Sequence, residues 1–429
     1  MDKSSKRKKR LLLVSCAGLD VGLVRRSKAL SAMGFRQFQP VFPAVTCAAQ
    51  ATMRTGLAPA ESGVLCNGRH DRQECRVTFW SQSARLMPRQ RIWDALRSRG
   101  GRVAVLFHQQ SLGDTADFVL SPAPIHRHGG GIVEAFHAKP SCLHEEVRRM
   151  TGSPFRLRKY WGPLATAAVG SYCAEATAAV MELHAPELVM TYLPDMDYVL
   201  QRQGPEGKDV ELELEQLESH IGYLCGAAEE LGYETVFWGD YSIVPVSRAV
   251  FPNRALLSAG LFAVRDVNGR QYPDLYSSSA FAMTDHQVAH VFVQDKGHLP
   301  QVRELLASLP GVEAALSPEE AGLQHPNCGE LLLLAEADSW FAYKWWDDER
   351  LAPDYACHVD IHSKIGYDPC ELFWRIPFFS TATDCGLVRG SHGRADAPAA
   401  FSASKGVDFL YDADSLPELA ALIKDEVIG

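Results

Sequence analysis

The sequence contains no run approaching the roughly 18–20 uninterrupted apolar residues of a membrane-spanning helix, so no membrane partner is expected. It contains no C-x-x-C pair either. Its eleven cysteines, among them Cys16, Cys225 and Cys357, stand singly in apolar or turn contexts. That spacing argues against a zinc knuckle or a disulfide framework and for a reduced, cytoplasmic protein with inert thiols. Positive charge is scarce: 43 Lys and Arg face 52 Asp and Glu, a net charge of −9. With no basic stripe elsewhere, the cluster Lys6–Arg10 reads as a solvated, disordered tail over residues 1–10, and no nucleic-acid polymer is expected as a partner. The apolar patch behind it, Leu11–Val14, is too short for the roughly 7–15-residue core of a secretory signal. Internal repeats, low-complexity linkers and heptads are also missing, which leaves one domain with an embedded subdomain.

What is present is an alternation of short apolar runs and helical patterns over 429 residues. Leu11–Cys16, Val103–Phe107, Leu188–Leu193 and Thr235–Trp238 read as strands. Arg25–Met33, Ile92–Arg99 and the stretch Asp209–Glu230, with apolar residues at steps of three and four, read as helices. Such alternation predicts an α/β fold with a mostly parallel central sheet flanked by helices, whose functional residues gather where strands end in loops. From about 251 to 355 the rhythm changes to strand, helix and strand with hairpins. The expected organisation is a core over 11–250 and 356–429 with a smaller α+β lobe inserted at 251–355.

Thr46, in "FPAVTCAAQATMRTG", begins a helix of small residues. A hydroxyl there sits beside unpaired backbone N–H groups and the positive end of the helix dipole, a seat for phosphate, although a capping threonine is the commoner occurrence. Asp195 and Asp197 follow one strand in a loop, Asp240 follows the next, and His392 lies in the Gly-flanked turn "RGSHG". Oxygen and imidazole groups at one sheet edge suit a divalent ion that activates a hydroxyl. Singly, each also reads as a turn or cap residue.

"FPAVTCAAQATMRTGLAPAESGVLCNG" resembles the nucleophile motif of the alkaline phosphatase superfamily, in its nucleotide pyrophosphatase/phosphodiesterase branch. "YLPDMDYVLQRQGP", "WGDYSI" and "RGSHG" resemble three further blocks of that branch, in the same order. The resemblance implies an alkaline-phosphatase-like core, Thr46 as a nucleophile that becomes phosphorylated, and Asn67 as a donor to a non-bridging phosphate oxygen. It also implies two metal ions, with Asp197 and His392 on one and Asp240 and Thr46 on the other. Three positions depart from it. Ala17 stands where an aspartate is expected, with Asp20 three residues on, while Gln201 and Tyr241 stand where histidines are expected. An unmodified two-zinc site is therefore excluded.

A single or harder ion (Zn, Mn or Mg), recruited replacement ligands, or a phosphate-binding pocket without catalysis all remain open. Replacement candidates are Asp360 and His362, read as alternating on an extended segment in "HVDIHSKIGYDP", with Asp368 beyond them, and Asp285, His286 and His290 in "TDHQVAH". A buried or surface histidine is the plainer reading of the last two. "VDIH…GYDP", "DHQ-x-AH" and "RGSHGR" together are similar to a bacterial subgroup of the branch with these altered ligands. The aromatic groups Phe79–Trp80 and Trp340–Trp346 fit either base stacking or a packed core. The resulting expectation is a metal-dependent phosphoester hydrolase of phosphodiesterase or pyrophosphatase type acting on a small-molecule phosphoester. The alternatives are a catalytically impaired phosphoryl-ligand binder or scaffold, and a phosphoryl transferase or mutase on the same fold.

Overall fold

The computed structural model describes residues 10–126, 132–375 and 380–427. The basic cluster expected to form a tail lies outside them except for Arg10, which is the first residue of a strand. Twelve strands form the two main sheets: β1 (Arg10–Cys16), β2 (Arg36–Phe38), β3 (Val103–Leu106), β4 (Phe118–Pro122), β5 (Phe136–Lys139), β6 (Leu188–Leu193), β7 (Tyr233–Gly239), β8 (Ala280–Asp285), β9 (Val288–Val293), β10 (Val312–Leu316), β11 (Leu331–Ala335) and β12 (Ala399–Ala403). The larger sheet has the order β2-β12-β7-β1-β6-β3-β4-β5. Its five middle strands, β7 to β4 in that order, run parallel, and β12 and β5 pair antiparallel at either side.

The central strand β1 is buried from Leu11 to Cys16, as expected of a parallel strand covered on both faces. Its side chains alternate. Leu12 and Val14 join one core with the helices α2 (Ala168–His184) and α4 (Val210–Leu231), and Leu11 and Leu13 join the other with α1 (Thr46–Thr55) and α6 (Leu416–Leu422). In α4 the buried residues Val210, Leu214, Leu217, Ile221, Leu224 and Ala228 recur at three- and four-residue steps, the stripe that made this helix legible. Two elements differ from expectation. The helix expected over Arg25–Met33 is two helices, Val21–Arg26 and Lys28–Ala32, because the Ser27 hydroxyl accepts from Leu30 N and starts the second. And α2 stands where no helix was read.

The second sheet, β8-β9-β11-β10, is antiparallel throughout and is covered by α5 (Leu299–Ala307). It has its own core, built on Phe281, Phe292, Leu331 and Trp345. Trp340, Trp345 and Trp346 are all buried, so this aromatic run packs rather than presents a stacking face.

The register of the larger sheet levels the site. Cys16 pairs with both Leu193 and Gly239, so Ala17, Pro194 and Asp240 leave the sheet side by side at the carboxyl ends of β1, β6 and β7. α3 (Asp195–Gln203) starts at that edge. Asp195 and Asp197, expected in a loop, are in its first turn.

Candidate active site

Thr46 is the first residue of α1, and its hydroxyl does not cap the helix. Instead Thr46 Oγ1 lies 3.1 Å from the Tyr241 hydroxyl, and the Tyr241 hydroxyl donates to Asp197 Oδ1 at 3.1 Å. Since the tyrosine proton is committed to the carboxylate, the threonine is the donor in the first bond. The direction is Thr46 to Tyr241 to Asp197. The other carboxylate oxygen of Asp197 accepts from Gln201 Nε2 at 2.8 Å, and Gln201 Oε1 accepts from the Tyr367 hydroxyl at 2.8 Å. All five side chains are buried or nearly so. Burial pushes the Asp197 carboxyl up to about 6 against the lowering effect of its two donors, and drives the Tyr241 phenol well above its ordinary range.

The rings of Tyr241 and His392 stack with centroids 3.6 Å apart and planes 5° from parallel. His286 lies against the same imidazole at 3.6 Å and stacks on Tyr367 at 3.8 Å. His392 Nδ1 donates to Ala44 O at 2.7 Å. Burial holds His392 down to about 3, and burial and the neighbouring His392 hold His286 well below its usual value, so both rings are neutral at neutral pH.

Asn67 is held from two sides. Its Oδ1 accepts from Cys47 N, in the first turn of α1, at 3.0 Å, while its own N and Nδ2 donate to the two oxygens of Asp285 at 2.7 and 3.1 Å. The Cys66 thiol also donates to Asp285, at 3.0 Å. Asp285 therefore sets the Asn67 amide from the second sheet, a role the sequence does not announce.

The structure places the remaining candidates as follows. Asp240 is fully buried. Its Oδ1 accepts from Gly18 N at 3.0 Å and Tyr241 N at 3.1 Å, and its Oδ2 has no hydrogen-bond partner among the described residues. His362 lines the same cavity as Thr46, with Nδ1 3.0 Å from Phe79 O. Asp360 does not line it. The segment expected to be extended is a turn, because Asp360 Oδ1 captures the amides of His362 and Ser363 at 3.3 and 3.1 Å. Asp368 accepts from Lys364 Nζ at 2.7 Å, His290 Nε2 donates to Leu65 O at 3.2 Å, and Asp20 caps a helix through Leu23 N.

The expected ion pair does not fit this donor set. Ala17 offers no atom, and the Gln201 amide presents its donor nitrogen to Asp197. The Tyr241 hydroxyl lies between Thr46 and Asp197, so that both oxygens of Asp197 are satisfied by protons. Among the described residues no group of three or more His, Cys, Asp or Glu is placed to hold a metal ion. In this structure Asp197 and Asp240 accept hydrogen bonds, and His392 stacks on Tyr241.

Thr46, Asp197, Tyr241, His286, Tyr367 and His392 face a cavity of about 120 Å³. Its walls include the apolar or aromatic residues Trp80, Pro122, Pro124, Leu157, Tyr160, Trp161 and Ile361 and the polar residues Gln82, Gln109, Ser121 and His362, and no lysine or arginine is among the described residues that line it. Trp161 is fixed from behind by its Nε1 donating to Glu371 at 2.7 Å.

Solved structures of similar architecture include phosphonoacetate hydrolase from Sinorhizobium meliloti 1021 in complex with phosphonoformate (TM-score 0.64, 15% identity, 97% of this chain and 95% of that one). Human ectonucleotide pyrophosphatase / phosphodiesterase 5 is another (TM-score 0.56, 14% identity, 92% and 87%), as is the murine protein of that name (TM-score 0.53, 13% identity, 91% and 88%). These likenesses show the fold, an alkaline-phosphatase-like α/β core. No curated protein sequence matches the chain. Residues 19–368, which carry the nucleophile motif, α3 and the Asp240 edge of the sheet, match the family described as type I phosphodiesterase / nucleotide pyrophosphatase, and the chain belongs to that family.

Proposed function

We propose that the chain hydrolyses phosphoesters of the phosphodiester or pyrophosphate type, with Thr46 as nucleophile. The observation that carries this reading is the directed chain of hydroxyls from Thr46 through Tyr241 to a carboxylate, at the mouth of which a ligand cavity opens. Family membership supports phosphoester hydrolysis as the reaction class.

In the first half-reaction the Thr46 proton passes to the Tyr241 oxygen and the tyrosine proton passes to Asp197 Oδ1. The threonine oxygen bonds to phosphorus, and the bond to the leaving oxygen breaks. The positive end of α1 favours the equatorial oxygens, and Asn67, which lines a neighbouring cavity, braces the first turn of α1 through Cys47 N. In the second half-reaction water bonds to phosphorus and the threonine–phosphorus bond breaks. The threonine oxygen recovers its proton from Asp197 through Tyr241, and the proton released by water goes to the departed alkoxide. Asp197 is suited to the task because its carboxyl, near 6, is ionised at neutral pH yet basic enough to draw a proton.

The test is hydrolysis of bis(p-nitrophenyl) phosphate by the native chain and by Thr46→Ala, with mass spectrometry of quenched reactions for phosphate on Thr46. Turnover that vanishes in the variant supports the reading; turnover that persists in it overturns it. The second reading is a phosphoryl-ligand binder without turnover, favoured by the lost metal donors at Ala17, Gln201 and Tyr241; ligand binding with no hydrolysis in the same assay supports it.

A further inference from the structure

The cavity that Thr46 faces extends along the carboxyl edge of the larger sheet, over the adjacent strands β6, β3 and β4. Met190 pairs with Val105 and Val105 with Val119, so Tyr192 on β6 and Ser121 on β4 stand level, two residues further on. Gln109 lies in the loop that leaves β3 between them, and all three line the cavity. Tyr192 is 5% exposed and Ser121 2%, and neither hydroxyl has a hydrogen-bond partner among the described residues. The Tyr160 hydroxyl, in the short helix Leu157–Tyr160 beside the same cavity, is buried and also without a partner among them.

Gln109 is held so that its amide nitrogen stays free. Its backbone N donates to Gln50 Oε1 at 2.8 Å, and its Oε1 accepts from Gln82 Nε2. Two bonds fix the Gln82 amide in turn: Nε2 donates to Trp80 O, and Oε1 accepts from Gln110 N, each at 3.1 Å. Gln109 Nε2 has no acceptor among the described residues. The three imidazoles of the cavity, His286, His362 and His392, belong to other elements. The strip itself therefore consists of three hydroxyls and a carboxamide, groups that carry no charge at neutral pH.

A buried hydroxyl without a partner is unfavourable, and several that face one space are satisfied together only by something that brings both donors and acceptors into it. Hydroxyls rotate to donate or accept, as the alcohol groups of a ligand do. The rings of Trp80 and Trp161, on the walls of the same cavity, offer flat apolar surface against which the C–H face of a sugar packs. An alkyl or aryl group in that place would displace water from the strip without replacing its hydrogen bonds.

We infer that the strip formed by Tyr192, Gln109 and Ser121, with Tyr160, is a binding subsite for an uncharged polyhydroxylated group, a sugar ring, carried by the substrate beyond its phosphorus. The inference rests on the proposed function only in taking Thr46 as the reacting end of the cavity.

The experiment is calorimetric titration of the Thr46→Ala chain, chosen to separate binding from turnover, with three methyl phosphodiesters. They are methyl α-D-glucopyranoside 6-(methyl phosphate), cyclohexylmethyl methyl phosphate and benzyl methyl phosphate. Their phosphoryl group is the same, so their order reports the ring alone. The glucoside is expected to bind at least about ten-fold tighter than either of the others. Tyr192→Phe and Ser121→Ala, added singly, are each expected to weaken the glucoside by about 3–10-fold and the cyclohexylmethyl ester by less than about two-fold, with no fall in thermal midpoint, because neither hydroxyl bonds to the protein. A glucoside that binds no tighter than the other two, or that binds both variants as well as their parent, overturns the inference. So does a fall in midpoint in either variant, which would make that hydroxyl structural. Methyl α-D-glucopyranoside without phosphate is followed on the same chains by saturation-transfer NMR. If the native chain hydrolyses no diester and none of the three binds, yet the free glucoside gives a signal that both variants lose, the hydrolase reading fails and the subsite stands; with no such signal the subsite fails too. If the native chain hydrolyses all three diesters through Thr46 at equal kcat/KM, the subsite fails alone.

Discussion

At the scale of single residues, Tyr241 decides what kind of site this is. A histidine there would offer a lone pair to a cation; the phenol instead gives its proton to Asp197 and takes one from Thr46. Tyr241→Phe keeps the ring stacked on His392 and removes only the relay oxygen, so kcat is expected to fall by about 10²–10⁴-fold with little change in thermal midpoint. Asp197 sets the pH dependence. Its carboxyl titrates near 6 in the folded chain and acts as a base only when ionised, so kcat/KM is expected to rise with pH up to about 6 and then level. A profile flat between pH 4.5 and 7.5 would remove Asp197 from that role. Thr46 and Asn67 were legible in the sequence as candidates because a motif carries them. The role of Tyr241 was not, since a tyrosine beside a strand-end aspartate is ordinary until its hydroxyl is seen between two partners 195 and 44 positions away.

At the scale of elements, the site is assembled by turns that the two sheets project toward each other. The turn between β8 and β9 contributes three consecutive residues. Asp285 holds Asn67, His286 stacks between Tyr367 and His392, and Gln287 N donates to His392 O at 2.7 Å. Asp285→Ala leaves the Asn67 donors without acceptors, so a loss of kcat of about 10–100-fold is expected, with partial recovery in Asp285→Asn, whose oxygen still accepts one of them. The loop 358–371 behind Trp161 and Tyr367 is held by Lys364, fully buried between Asp368 and Glu371 at 2.7 Å each. Lys364→Met strands two buried carboxylates, and a destabilisation of about 3–5 kcal/mol is expected in chemical denaturation. Gly390 packs on the end of α3 so closely that an added Cβ would lie 2.1 Å from Leu200 O. Gly390→Ala is therefore expected to cost about 1–3 kcal/mol and to shift the ring of His392 two residues on. Among the elements, α4 was readable from its stripe, whereas α2 was not: from Val169 to Met181 it is buried at nearly every position, and a helix covered all round shows no polar face to mark its period.

At the scale of the whole molecule, no group of three or more His, Cys, Asp or Glu is placed to hold an ion among the described residues. An ion that binds the native state tightly would raise its stability by mass action, so incubation with EDTA is expected to leave the thermal midpoint within about 1 °C; a larger fall would reveal a bound cation. What the sequence by itself determined was local and ordered: the alternation of strand and helix, the nucleophile motif, and the loss of donors at Ala17, Gln201 and Tyr241. These are properties of neighbouring residues, written in apolar periods of two and 3.6 and in short fixed spacings. The tertiary structure alone decided that Tyr241 and Gln201 both bond to Asp197, that Asp360 closes a turn while Asp285 reaches Asn67, and that residues as distant as Trp80, Pro122, Trp161 and Ile361 wall one cavity. Those facts depend on which distant segments meet, and on the burial that follows from their meeting, neither of which any short stretch of the chain encodes.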